Sequence, residues 1–328
     1  MKPESNPTMK DVARESGLSL ATVSKVINGL PVGKNSRKLV EEAIEKLGYQ
    51  VNTYARALKG SKTYTVALVM PSLKHPFFAH MVDELTACLT QFGYRSLLMI
   101  TNYDTEAEQK CFSMVRSNSV DGIIALTYNP NIVVDDSLPV VTIDRHLGKI
   151  IPCVSSDNFR GGEIAAEKLL ELGCRKLLFM RISSRTPGEP DKRYSGFENI
   201  CHISGVDHEA VLLYDDDTEA GIYEFLEDHI RDGICEYDGI FCNSDGLACR
   251  VLRFLRIHGV DVPGQVQIIG YDGIIDHFED RYVCSTIVQP LAQMAQAAVR
   301  FLLERGKDTE GANITLPVRY VRGDTTKG

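Results

Sequence analysis

The chain has 328 residues, 44% of them apolar and 24% charged, enough for two or three domains with substantial hydrophobic cores. Its net charge of −8 would exclude a uniformly polyanion-binding surface, but residues 1–62 carry a balance of +5 and the remainder −13. A basic head on an acidic body is expected when one end touches a polyanion, although charge alone also allows a small domain with solvated lysines. The nine Cys include no Cys-x-x-Cys pair and mostly sit in apolar runs, as Cys242 does in Ile240-Phe-Cys242, so reduced and buried thiols are expected. The eight His form no ligand-spaced cluster along the chain, so neither metal nor cofactor is expected. The first residues are polar through Thr22 and no apolar run approaches a membrane span, which predicts a cytoplasmic protein without a signal peptide or membrane partner.

The head, residues 1–50, begins with Thr8, which can cap a helix in a capping-box-like pair with Asp11. Gly17 ends that helix, Ser19 caps a second over Leu20–Asn28, and Gly29 stops it. So brief a turn forces a steep crossing and needs small or apolar residues at the contact, where Ala13, Gly17, Val23, Val12, Leu18 and Val26 stand. That is a helix-turn-helix arrangement. A third helix is expected over Ser36–Leu47, with Leu39, Val40, Ala43, Ile44 and Leu47 at helical spacing. An ordinary αα-hairpin shares these features, but the outer side of the second helix is short or hydrogen-bonding, with Leu20, Ala21, Ser24, Lys25 and Asn28 suited to base edges and phosphates.

The runs Asp11-Val-Ala, Gly17-Leu-Ser, Thr22-Val-Ser-Lys-Val-Ile-Asn-Gly, Leu47-Gly-Tyr and Asn52-x-x-Ala-Arg-Ala-Leu resemble the head of the lactose-repressor/galactose-repressor (LacI/GalR) family of transcriptional regulators. The resemblance implies that Leu20, Ala21 and Lys25 face the major groove, while Thr8, Ser19, Thr22, Ser24, Asn28 and Tyr49 hold phosphates and register. It implies a hinge helix over residues 51–62, with Leu58 wedged into the minor groove and Asn52, Ala55 and Arg56 beside it. By residue pattern alone that segment is a plain linker. Lys25 replaces the family's usual Arg and lacks its bidentate fork. Val51 stands for the usual Pro, and Gly33 for the usual capping Ser.

From residue 63 onward the pattern alternates strand and helix. Strands are expected at Tyr64–Met70, Gly93–Ile100, Val120–Leu126, Pro139–Asp144, Lys176–Met180, Val211–Tyr214, Gly239–Cys242 and Val266–Tyr271, with helices including Phe77–Phe92 and Gly162–Glu171. Two such sets predict an α/β body of two doubly wound parallel-sheet lobes. The expected N-lobe covers about 63–157 and 289–316, and the C-lobe about 158–288 and 317–328. Ligands of such folds sit beyond the carboxyl ends of strands, where Asp144-Arg145, Asp157, Ser244-Asp245 and Asp272 fall, with Arg193 in a following loop. Each is individually a plausible helix cap or surface charge; their shared position suggests a site for vicinal hydroxyls.

The family resemblance spans this region as well, through Val69-Met-Pro…Pro76-Phe-Phe, Asp121-Gly-Ile-Ile, Asp157-Asn…Gly161, Leu170-Glu-Leu-Gly, Arg193-x-x-Gly-Phe, Asp245-x-x-Ala, Ile269-Gly-Tyr-Asp and Gln289-Pro. It implies a periplasmic-binding-protein-like body in which Arg193 and Asp272 lead the effector contacts, joined by Phe77, Phe78, Asp144, Arg145, Asp157, Asp245 and Gln289. Ser244 replaces a common Asn, Asp217 a common aromatic, and the absence of Trp leaves stacking to Phe or Tyr. Arg181 and Arg185 stand where the family often has small residues. They are either solvated or turned inward toward a carboxylate or phosphate on the effector.

The expectation is therefore a repressor that binds a pseudo-palindromic double-stranded operator as a homodimer, since two recognition helices must face half-sites about one helical turn apart. A small sugar-like effector would control its affinity. Control by a protein coregulator and a role as a transport-type sugar binder are the alternatives. No Walker motif, His-Glu-x-x-His or Gly-x-Ser-x-Gly run supports an enzyme.

Overall fold

Thr8 opens the head as expected. In the computed structural model the Asp11 carboxylate accepts from its backbone N–H at 2.9 Å and its hydroxyl at 2.6 Å. The structure describes residues 7–27, 30–49, 62–117, 119–129, 131–135, 138–148, 150–214, 220–276, 278–304 and 311–328. The chain separates into two units, residues 1–63 and 64–328.

In the first unit α1 (Met9–Ser16) ends at Gly17, whose φ of 68° is the left-handed turn required there. The Ser19 hydroxyl accepts from the Thr22 N–H at 3.1 Å and starts α2 (Leu20–Ile27). The third helix, α3 (Lys34–Leu47), begins two residues before the expected Ser36, because Gly33 takes the N-cap position without a side chain to cap it. Val12, Val23, Val26, Val40, Ala43 and Tyr49 form the buried centre of this small bundle.

The second unit contains two six-stranded sheets. The first is ordered β15-β5-β4-β3-β1-β2, using β1 (Thr65–Met70), β2 (Arg95–Ile100), β3 (Gly122–Ala125), β4 (Val140–Ile143), β5 (Cys153–Ser156) and β15 (Asn313–Leu316). All of its pairings are parallel. Helices α4 (Pro76–Gln91) and α10 (Leu291–Leu303) bury Phe77, Met81, Leu85, Met294 and Val299 against one side of it, while α5 (Thr105–Arg116) covers the other with Cys111 and Phe112.

The second sheet is ordered β16-β14-β11-β10-β6-β7, using β6 (Lys176–Ser183), β7 (Asp207–Tyr214), β10 (Gly239–Cys242), β11 (Gln267–Asp272), β14 (Ser285–Val288) and β16 (Arg319–Val321). Only β16 runs antiparallel to its neighbour. Helices α6 (Asn158–Glu171) and α7 (Lys192–Ser204) pack on one side, α8 (Ala220–Asp228) and α9 (Asp245–Ile257) on the other. Two short hairpins, β8 (Ile230–Arg231) with β9 (Ile234–Cys235) and β12 (Ile275–Asp276) with β13 (Arg281–Tyr282), and a 3-10 turn at Glu189–Asp191 are the remaining elements among the described residues. The near-continuous apolar runs in the central strands follow from burial on both faces.

Helices α6 and α7 approach backbone to backbone through Gly162 and Gly196. A Cβ at Gly196 would lie 1.9 Å from the Phe159 carbonyl oxygen, and one at Gly162 2.0 Å from that of Arg193. This contact sets where the first turn of α7 stands. Nine free cysteines are present, seven of them buried and Cys235 and Cys249 partly so. Among the described residues no helix is long and apolar enough to cross a membrane.

Candidate functional site

In the head, the side of α2 that faces away from Val23 and Val26 is Leu20, Ala21 and Lys25, all exposed, flanked by half-buried Thr22 and Ser24. Ser19 and Thr22 share a 2.9 Å hydroxyl contact beside this face. Tyr49, expected at a phosphate, is only 8% exposed and belongs to the head core. Asn28, Asn52, Ala55, Arg56, Leu58 and Asp217 lie outside the described residues.

In the second unit the carboxyl ends of the strands of both sheets converge on a cavity of about 570 Å³, within the usual range for small-molecule sites. The first sheet contributes His75, Phe77 and Phe78 after β1, Tyr128 after β3 and Asp144 after β4. The second contributes Asn243 and Ser244 after β10, Asp272 at the end of β11, and Arg193 in the first turn of α7.

Arg193 organises the second side. Its Nε donates to Asn158 Oδ1 at 2.7 Å and its Nη1 to the Asn243 carbonyl at 2.6 Å. Asn158 is itself fixed by donating to the Ser156 carbonyl at 3.0 Å. The guanidinium lies 3.6 Å from the centre of the Tyr271 ring, a cation–π contact in a dry setting. Asp272 Oδ1 stands 3.9 Å from Arg193 Nη1 and accepts from Gln289 Nε2 at 2.8 Å. Its Oδ2 has no hydrogen-bond partner and is 3.9 Å from His75 Nε2.

Asp144 and Asp272 both hold positive φ, 56° and 124°. For non-glycine residues such backbone costs energy and clusters at ligand sites. Both carboxyls are buried, which pushes their pKa up: Asp144 to about 7, opposed by Arg193 and reinforced by Glu189 and Asp272. Asp144 Oδ1, Asp272 Oδ2 and Asn243 Oδ1 are buried acceptors without a hydrogen-bond partner. Such acceptors are costly unless a ligand supplies donors.

The structure thus brings Phe77, Phe78, Asp144, Arg193 and Asp272 together, with Gln289 behind Asp272. It places three other candidates elsewhere. Asp157 caps α6 by accepting from the Arg160 N–H at 3.0 Å. Asp245 is fully buried and accepts from the Gly273 and Ile274 N–H groups and the Thr286 hydroxyl, holding the turn after Asp272. Arg145 is buried with its Nη1 3.5 Å from the Thr186 carbonyl.

Arg181 is neither solvated nor turned into the cavity; it is 12% exposed and ion-paired with Asp191. Arg185 is exposed and stacks 4.2 Å from the Tyr214 ring centre, lining a neighbouring cavity of about 340 Å³ with Glu108, Thr127 and Asn129. His75, Tyr128, Asn158, Asn243 and Tyr271 are not among the ligand contacts expected from sequence. Asn243 immediately precedes Ser244, so the amide missing at 244 is supplied one position earlier, while the Ser244 hydroxyl caps α9. The His residues have no ligand-like spacing along the chain, but in the fold His202 and His208 come together with Glu198.

Residues 8–52 match the family model "Bacterial regulatory proteins, lacI family", and residues 63–322 match "Periplasmic binding proteins and sugar binding domain of LacI family". The sucrose operon repressor of Streptococcus mutans is 32% identical, over 97% of this chain and 98% of its own. A periplasmic binding protein/LacI transcriptional regulator from Alkaliphilus metalliredigens, solved with D-xylulofuranose, superposes with a TM-score of 0.66 at 27% identity, over 81% of this chain and all of its own. The Lac repressor dimer bound to operator and an anti-inducer shares the fold, with a TM-score of 0.81 at 20% identity over 99% of this chain and all of its own. The helix-turn-helix head, the two parallel-sheet lobes and these matches together show that the chain belongs to the LacI family of DNA-binding transcriptional repressors.

Proposed function

We propose that this repressor binds a pseudo-palindromic operator as a homodimer in the cytoplasm, and that a neutral sugar or sugar derivative between the lobes of its body sets operator affinity. The observation that carries the effector class is the ring of buried acceptors around Arg193: Asp144 Oδ1, Asp272 Oδ2 and Asn243 Oδ1 all lack donors. Vicinal hydroxyls supply such donors, whereas a carboxylate or phosphate would meet two more carboxylates. Of the two arginines whose positions raised an anionic ligand, Arg181 is committed to Asp191 and Arg185 lines the neighbouring cavity, so neither joins Arg193 here. Phe77 and Phe78 offer apolar faces for the ring. The names of the relatives, a sucrose operon repressor and a regulator solved with a pentulose, support the same class.

On the DNA side, Leu20 and Ala21 provide apolar contacts to base edges and Lys25 a single-point donor, with Thr8, Ser19, Thr22 and Ser24 at phosphates. Ligand acts through its different affinities for two arrangements of the lobes, which couples the cavity to the head. A thermal-shift panel of neutral sugars, sugar acids and sugar phosphates tests the class. Saturation at a hundredfold excess over Kd adds about 2.7 kcal/mol. A neutral sugar that stabilises the protein and changes operator affinity supports the proposal. A preference for the acid or phosphate overturns the class, and no response from any member turns the reading to a protein coregulator.

A further inference from the structure

Glu198 and His202 lie four residues apart on α7, so they share one face of the helix. Gly205, with a φ of 62°, ends that helix and returns the chain directly into β7, whose second residue is His208. Ligand-capable atoms of Glu198, His202 and His208 all lie within 4.8 Å of one another. The two imidazole rings meet edge to face, with centroids 5.1 Å apart at 87°.

Glu198 and His208, both half-buried, each have an orienting partner. His208 Nδ1 is 3.3 Å from the Val206 carbonyl; donation there leaves Nε2 as a lone pair. Glu198 Oε1 accepts from the Tyr194 hydroxyl at 2.8 Å. Carbonyl-bound imidazole and hydrogen-bonded carboxylate are the outer partners that metal ligands characteristically have. Donors around a zinc ion bonded at about 2.0–2.1 Å stand about 3.4 Å apart. His202 is solvent-exposed, so a change in its side-chain torsions can close the remaining distance.

From this geometry we propose that Glu198, His202 and His208 bind a divalent transition-metal ion of the zinc, cobalt or nickel class, with solvent completing the coordination. Two nitrogen donors and one oxygen donor suit these ions better than calcium or magnesium, which take all-oxygen sites. The ion joins the C-terminal end of α7 to the edge strand of the second sheet. His202 is nine residues from Arg193 along the helix, about 13 Å, so this site is separate from the cavity.

The test is titration of the metal-free full chain with zinc by calorimetry and with cobalt by visible absorption. One ion per chain is expected, with cobalt showing d–d bands and no thiolate charge-transfer band. His202→Ala should weaken binding at least about tenfold, since losing even an outer partner costs that much, and Tyr194→Phe should weaken it less than His202→Ala does. Because His202 is exposed, its removal leaves the fold intact, which circular dichroism checks. Absence of saturable binding, equal affinity in wild type and His202→Ala, or a thiolate band that places the ion on Cys235 or Cys249 would each overturn the assignment.

Discussion

The two sides of the cavity are built differently. The second sheet presents an interlocked set: Arg193 stacked on Tyr271, bonded to Asn158 and the Asn243 carbonyl, with Asp272 held by Gln289. The first sheet presents two aromatics and Asp144, whose Oδ1 has no hydrogen-bond partner. The second-sheet side is held by its own side chains, yet unmet acceptors stand on both sides, Asp144 Oδ1 on the first and Asp272 Oδ2 and Asn243 Oδ1 on the second, so a ligand gains by supplying donors to both. The comparison also separates two kinds of buried carboxylate. Asp245 has its oxygens met by backbone N–H groups and Thr286 and maintains the turn, whereas Asp144 and Asp272 each keep an oxygen for something else.

The largest way to break this arrangement is to remove the support behind the organised side. Gly196→Ala places a Cβ 1.9 Å from the Phe159 carbonyl oxygen. It should destabilise the chain by more than about 4 kcal/mol, or prevent folding, because only backbone can move aside; denaturant melts check this. Next is Arg193→Ala, which leaves Asp272 and Asp144 buried without their cation. A loss on the order of 3–5 kcal/mol is expected in stability, together with loss of effector response in the thermal-shift assay. A variant with full stability would show that Arg193 is not the organiser.

Asp144→Asn sharpens the contrast on the other side. Its carboxyl rises from 3.8 to about 7 in the folded chain, so between these pH values the native state holds a proton that the unfolded state has lost. Stability therefore falls as pH rises through that window and levels off above it, by on the order of 4 kcal/mol for this group. Asp272 and Asp245 push the same way, so the readout is the difference between wild type and variant. The wild type should lose more Tm than Asp144→Asn between pH 4 and 7; equal slopes would remove Asp144 as the source. The smallest effect is Asp157→Ala, which should cost about 1 kcal/mol as a lost helix cap and leave effector affinity unchanged. A loss of affinity there would return Asp157 to the ligand site.

The head was the most readable part of the chain, because its determinants are local: Thr8 with Asp11, Gly17, Ser19 and the apolar spacing of Val12, Val23, Val26 and Val40 lie within a few turns of one another. Strand–helix alternation likewise conveyed the two-sheet body, since burial on both faces writes apolar runs directly into the residue order. It also marked Asp144 and Asp272 at the ends of strands, and Arg193 in the loop and early helix that follow β6. It could not rank Asp157 and Asp245 beneath them, because a helix cap, a turn anchor and a ligand contact use the same residue type at the same point of the topology. Only the packed chain separates these, by showing which carboxylate oxygens are already met. Tyr271 under Arg193 and the meeting of Glu198, His202 and His208 were equally out of reach. The first joins residues 78 positions apart, and the second depends on the left-handed turn at Gly205 folding β7 back beneath α7.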